Sequence, residues 1–227
     1  MSGEYPRGKV EFFEDFLTDN GDNASNYGGM TETLADVATQ DITNKHGGWW
    51  RQTTVDDTDA ALIAGERCWE VDEGHPLIFE TRLVVDDASV ASIAVGFHDD
   101  VAASGAILWE DEGGTLESAP ADGFGFMLEG AQDETWQAVA TDTSVDKTQV
   151  ALTLGADCAD AVVQTLRMEA NPNDSGTVKY FIDGELVSTR TGWFDSGIVF
   201  CPGLSCDFRT SAINVDYDYL YVMAPRS

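Results

Sequence analysis

Positive charge is what this chain has least of. Its 227 residues carry 12 Lys and Arg against 41 Asp and Glu, a formal net charge of −29. Only four are lysines: Lys9, Lys45, Lys147 and Lys179. Duplex DNA is excluded as a partner, because no basic patch exists to replace its counterions. Such a surface repels itself at low ionic strength, whereas at about 1 M salt the Debye length falls to about 3 Å and the repulsion is screened. Many Asp, few Lys and an ordinary apolar content of 43% read as a protein built for strong brine. Long apolar runs are also missing: no segment approaches the ~20 residues of a membrane-spanning helix. The opening "MSGEYPRGKVEFFEDF" lacks the apolar stretch of a secretory signal. The expectation is a chain made in the cytoplasm, leaving, if at all, in a particle released by lysis.

Cysteine is scarce. Cys68 and Cys158 are isolated, while "CPGLSC" sets Cys201 and Cys206 around a Pro-Gly pair. These two either close a small loop as a disulfide or stay as two thiols. Zinc needs a second such pair or partnered histidines, and His46 and His75 have no neighbours in sequence to serve.

Amphipathic helical patterns are absent too, and strands take their place. "PLIFETRLVVDD" alternates, with Leu77, Phe79, Thr81, Leu83 and Val85 on one face. "VASIAVGFHDD" follows as its antiparallel neighbour, and "YFIDGELV" is a hairpin about Asp183-Gly184. Many strands with short turns define an all-β protein, a two-sheet antiparallel β-sandwich of jelly-roll type. Residues 1–48 read as an N-terminal arm, a first strand "VEFFEDF" and a long polar loop with one short helix near Thr31–Thr39. Residues 49–227 read as the sandwich. In the hairpin, Tyr180 and Val187 share one face and Phe181 and Leu186 the other, so the second face needs a cover.

"VQTLRMEANPNDSGTVKYFIDGELVSTRTG" and the terminal "INVDYDYLYV" resemble the laminin-G/concanavalin A-like jelly-roll group. The order of Trp50–Thr53, Pro76–Glu80, Val95–Asp99, Tyr180–Gly184 and Val215–Val222 is similar to that in small jelly-roll structural proteins of tailed viruses. That resemblance implies a virion surface or capsid-decorating role. With the brine-adapted composition it implies a virus of a halophilic archaeon.

The same fold group includes glycoside hydrolases, which set two carboxylates about 5–5.5 Å apart for retention. The family pattern is Glu-x-Asp-x-x-Glu on a central strand. The nearest stretch here is Asn214-x-Asp216-x-Asp218, with Tyr221 where the last Glu belongs. Ile213, Val215, Tyr217, Tyr219 and Tyr221 read as a packed face and the aspartates as a solvated one. "FHDD" puts His98 at a strand end beside two acids, better read as solvated than as a metal ligand or base. "DNGDNASN" (Asp19–Asn26) offers oxygen ligands without the regular calcium-loop spacing. No Gly-x-Gly-x-x-Gly precedes a helix, and no cofactor is expected. Six tryptophans are present; Trp49 and Trp50 suit a core or a sugar platform, and Trp109 and Trp193 read as the most loop-like and exposed.

The resulting expectation is a non-enzymatic virion structural protein that contacts a major capsid protein or other virion proteins and forms a homo-oligomer, with a trimer as the guess. Phe12, Phe13, Phe16, Phe181 and Leu186 are the expected partner contacts. The alternative is a lectin-like module for host-surface glycans; a glycanase is the least supported.

Overall fold

The computed structural model describes residues 9–16, 30–36, 38–43, 48–56, 59–71, 76–99, 108–111, 116–142, 145–146, 150–151, 156–171, 176–195, 197–207, 209 and 211–225. In chain order the strands are β1 (Lys9–Glu14), β2 (Thr31–Ala35), β3 (Thr39–Thr43), β4 (Trp49–Thr54), β5 (Ala60–Ala64), β6 (Trp69–Glu70) and β7 (Leu77–Val85). Then come β8 (Ser92–His98), β9 (Trp109–Asp111), β10 (Leu116–Ser118), β11 (Gly123–Glu129), β12 (Asp133–Asp142), β13 (Val145–Asp146) and β14 (Val150–Ala151). The last five are β15 (Val163–Asn171), β16 (Thr177–Ile182), β17 (Glu185–Arg190), β18 (Val199–Asp207) and β19 (Ile213–Pro225).

Sheet I runs β17-β16-β15-β7-β19-β4-β3, with β1 added along β19. Sheet II runs β13-β12-β11-β8-β18-β5-β2, with β14 on β12 and β6 on β18. The pairings are antiparallel throughout. The molecule is an all-β, two-sheet antiparallel sandwich.

Alternation builds the space between the sheets. The five β7 residues expected on one face, Leu77, Phe79, Thr81, Leu83 and Val85, are all at 0% exposure. Ile93, Val95 and Phe97 answer from β8, and Phe124, Phe126 and Leu128 from β11. Aromatic rings knit the two layers: Phe79 meets Phe97 edge-on at 5.6 Å and Phe126 meets Tyr180 at 5.1 Å. Each such side chain contributes about 1.5–3 kcal/mol by leaving water.

Several sequence expectations are corrected by this architecture. The short helix near Thr31–Thr39 is instead two strands, β2 in sheet II and β3 in sheet I. The expected first strand, by contrast, is present: β1 pairs with β19 from Lys9↔Pro225 to Glu14↔Leu220. "CPGLSC" is not a turn but the middle of β18. Pro202 is tolerated there because its backbone faces the gap between β6, which pairs at Val199–Phe200, and β5, which begins at Gly203. Its carbonyl accepts from Gly65 N at 2.8 Å on that same side, so its nitrogen is turned away from β8 and that ladder is left intact. The disulfide reading fails with the turn. Cys201 lies on the outer face of β18 and Cys206 on the core face, and both are free thiols.

The final strand also departs from simple alternation. Tyr217 pairs with Leu83 but Tyr219 pairs with Arg82, so Asp218 is an extra residue in β19. Beyond this bulge the faces exchange. Leu220, Val222 and Ala224 enter the core, while Tyr219 and Tyr221 turn outward.

Candidate functional site

The two sheets leave two outer faces, and the structure treats them differently. On sheet II the outward positions form rows across strands: Thr141, Gly123, His98 and Cys201 in one, and Val139, Gly125, Gly96, Gly203 and Ala64 in the next. The glycines make a lane, and the Trp109 indole lies on it. A Cβ at Gly123 would come within 2.8 Å of Trp109 Cζ2, and one at Gly125 within 2.9 Å of Cζ3. Trp109 is at 0% exposure and its Nε1 donates to Thr141 Oγ1 at 3.0 Å. Leu62, Ala94, Leu108, Met127 and Val139 complete a second apolar cluster.

The β9–β10 hairpin that carries Trp109 is held by charge. Arg209 donates from Nη2 to Glu110 Oε2 at 2.8 Å and from Nε to Glu129 Oε1 at 3.1 Å, and it lies 3.3 Å from Asp207. Ser92 Oγ donates to Glu129 Oε2 at 3.2 Å. Burial pushes the Glu129 carboxyl above its usual range, opposed by the Arg209 charge and these hydrogen bonds. Burial pulls Arg209 down, but its bonds from Glu110 and the charge of Glu129 outweigh that and leave it raised.

His98 is no solvated strand end. It is fully buried, its ring nitrogens 3.6 Å from Cys201 Sγ, which donates to the His98 carbonyl at 3.1 Å. Gly203 leaves room for the ring, since a Cβ there would stand 2.5 Å from His98 Nε2. Trp193 is likewise buried, edge-on to Tyr180 at 5.7 Å. Neither tryptophan expected to be exposed is so, and Trp50 and Trp49 are buried as well.

The outer face of sheet I is open and ion-paired. Asp216, expected to be solvated, is at 3% exposure and takes both arms of Arg51, Nε to Oδ1 at 2.6 Å and Nη2 to Oδ2 at 2.9 Å. The Asp216 bonds raise the Arg51 pKa. Asp218 pairs with Arg82, whose guanidinium lies 5.7 Å from the Trp49 ring and 5.8 Å from that of Tyr219. Arg167 bridges Glu80 at 3.1 Å and Glu169 at 2.8 Å. Tyr219 donates to Glu80 at 2.7 Å, and burial followed by this bond raises its phenol pKa. Tyr221 donates to Glu11 at 2.8 Å.

The phenylalanines expected as partner contacts separate. Phe16 is fully buried, stacked on Trp50 at 5.3 Å, and Phe12 packs on the core from β1. Both serve the chain's own interior. Phe13 is 59% exposed and leans on Tyr219 at 5.7 Å. On the hairpin, Tyr180 and Val187 are buried while Leu186 is 51% exposed and Phe181 half-buried, the division of faces the sequence suggests.

The Asp19–Asn26 segment lies outside the described residues. Among the described residues, Asp36, Asp56 and Asp59 bring carboxylate oxygens within 4.8 Å of one another. Asp36 lies far in sequence from the Asp56–Asp59 pair, which hid the group. Asp59 Oδ2 accepts from Val55 N at 2.7 Å and Asp56 N at 3.3 Å, which accounts for its burial as a turn-forming group. The arginine partners were equally hidden: Arg51 to Asp216 and Arg209 to Glu110 are long-range pairs with no local pattern.

No family model matches the chain, and no curated protein does. Solved structures match at the level of the fold. The carbohydrate-recognition domain of Emp46p in its potassium-bound form has a TM-score of 0.62 at 14% identity, over 92% of this chain and 94% of that one. The Bacillus licheniformis β-glucanase gives 0.57 at 14%, over 93% and 97%. A carbohydrate esterase from the Shiga toxin-encoding bacteriophage phi24B gives 0.58 at 14%, over 96% and 100%. The fold is therefore a concanavalin A-like jelly roll.

Proposed function

We propose that this chain is a non-enzymatic structural protein of a virion, adapted to strong brine, that adheres to other virion proteins through the outer face of sheet I. The observation that carries the reading is the makeup of that face. Phe13, Tyr219 and Tyr221 stand among Arg51, Arg82 and Arg167, each arginine already on a carboxylate. Aromatic and arginine side chains are the types enriched at protein interfaces. The ordered strand motifs that resemble tailed-virus proteins supply the virion context, and the charge of −29 supplies the brine.

Acid–base chemistry has little support. A glycosidase needs one carboxyl free to carry a proton beside a second that attacks or activates water. Asp216, Asp218, Glu80, Glu110 and Glu129 are instead engaged by arginines. A second reading, glycan binding, draws on the likeness to carbohydrate-recognition domains and on the exposed ring of Phe13 beside half-buried Tyr221, which suit stacking on sugars.

Antibody raised against the chain, applied to density-gradient fractions of particles from lysed producing cells, tests the first reading. Labelling of intact particles is expected; label confined to soluble fractions would overturn it. Competable binding on a glycan array in ~2 M salt, without particle label, would favour the second.

A further inference from the structure

The edge of sheet I carries an inference independent of the virion reading. Among the described residues, strand β17 is paired on one side only, with β16. It is six residues, "ELVSTR", without Pro or Lys, and its bulge and charged ends admit only a partner strand that matches them. Its pairing runs Ile182↔Glu185, Phe181↔Leu186, Tyr180↔Ser188, Lys179↔Thr189 and Val178↔Arg190, with a bulge at Val187. Ile182, Tyr180 and Val178 face the core. Glu185, Ser188 and Arg190 therefore share the core side with buried Val187, while Leu186 and Thr189 share the outer side.

Read along the strand, the faces go in, out, in, in, out, in. Without the bulge, Glu185 and Arg190 would lie on opposite faces. With it, the strand has the same face pattern read in either direction, and its two charged ends carry opposite signs. We propose that β17 pairs antiparallel with β17 of a second copy of this chain, about a two-fold axis between Val187 and Ser188. In that register Glu185 lies opposite Arg190 of the partner subunit, and the reverse pair forms on the other side of the axis. Leu186 lies opposite Thr189 of the partner subunit.

Ladder geometry fits this register. A two-residue turn at Asp183-Gly184 makes Ile182–Glu185 a hydrogen-bonded pair, so the next pair, Phe181–Leu186, directs the Leu186 N–H and C=O away from β16. Thr189, beyond the bulge, is turned outward in the same way. Charge complementarity singles out a second copy as the occupant. A chain at −29 repels its own kind over most of its surface, and this edge offers it two opposite-charge pairs. The half-open Leu186 is covered in the same step.

Sedimentation equilibrium of the full chain at about 1 M salt, where long-range repulsion is screened, tests the proposal. The expected mass is twice the 24.5 kDa of one chain. Thr189→Pro removes an outward N–H that β16 does not use and is expected to weaken the dimer at least about tenfold, with far-UV circular dichroism and melting unchanged. Glu185→Arg or Arg190→Glu alone places like charges opposite each other and weakens it, and the double exchange restores it. A wild-type chain that stays monomeric, or a dimer indifferent to Thr189→Pro and to both exchanges, would overturn the pairing.

Discussion

The outer faces of the two sheets share a backbone design and have opposite fates. Sheet II has small residues along its middle rows, and the β9–β10 hairpin uses the space to bury Trp109 there. Sheet I has long side chains in the equivalent rows, and nothing among the described residues is laid over them. Arginine appears on both faces but does different things. Arg209 is 15% exposed and clamps three acids from separate strands, which fixes a cover in place. Arg82 is 44% exposed and spans an acid and two rings at a surface. One face has become a second core, and the other has remained available for contact.

Substitutions on the two faces sharpen that contrast. Trp109→Ala empties a fully buried indole site and is expected to lower stability by about 3–5 kcal/mol, read from chemical denaturation. Tyr221→Ala on the other face is expected to cost under about 1 kcal/mol in the same assay. Equal losses would erase the distinction. Between these extremes, Asp216→Asn withdraws the buried carboxylate from Arg51 and is expected to cost about 1–3 kcal/mol.

Thiol reactivity sharpens it further without changing stability. Exposed Cys68 is expected to be labelled in the native chain. Cys158, whose pKa burial pushes up to about 12, and the buried Cys201 and Cys206 are expected to react only after unfolding. A disulfide by mass under non-reducing conditions would contradict the free thiols on opposite faces of β18.

The smallest effect is in the pH dependence of the Arg209 clamp. The folded Glu129 pKa is raised above 4.5, so its protonation-linked stability is fully present below 4.5 and is lost as pH rises through the folded value. The stability of wild type relative to Glu129→Gln should therefore rise as pH is lowered from 7 toward 4.5. An opposite slope would mean that Arg209 outweighs burial.

The sandwich was legible because period-two alternation is local: β7, β8 and the β16–β17 hairpin follow directly from it. What was not legible depended on single insertions and distant partners. Nothing in "VDYDYLYV" says which residue bulges, so simple alternation puts Tyr219 and Tyr221 in the core, whereas the structure turns them outward. Asp216 does lie on the outer face, but Arg51 covers it, and that distant partner leaves no local pattern. Pro-Gly is a strong turn signal, yet Pro202 falls at the end of the β5 ladder with its nitrogen turned away from β8. The Thr-rich β2 and β3 lack strong apolar alternation, so nothing local separates them from a short helix. Trp109 reads as exposed because acids and glycines follow it in a loop-like segment, and nothing local shows that the glycines of the next long strand, β11, receive its ring.

The central claim is that the outer face of sheet I, and not that of sheet II, is the working surface. Hydroxyl-radical footprinting of the isolated chain and of the chain in purified particles tests it most directly. Phe13, Tyr219 and Tyr221 are expected to be modified in the isolated chain and protected in the particle, with Trp109 unmodified in both. Modification of Trp109 in the isolated chain, or unchanged labelling of all three rings in the particle, would contradict it.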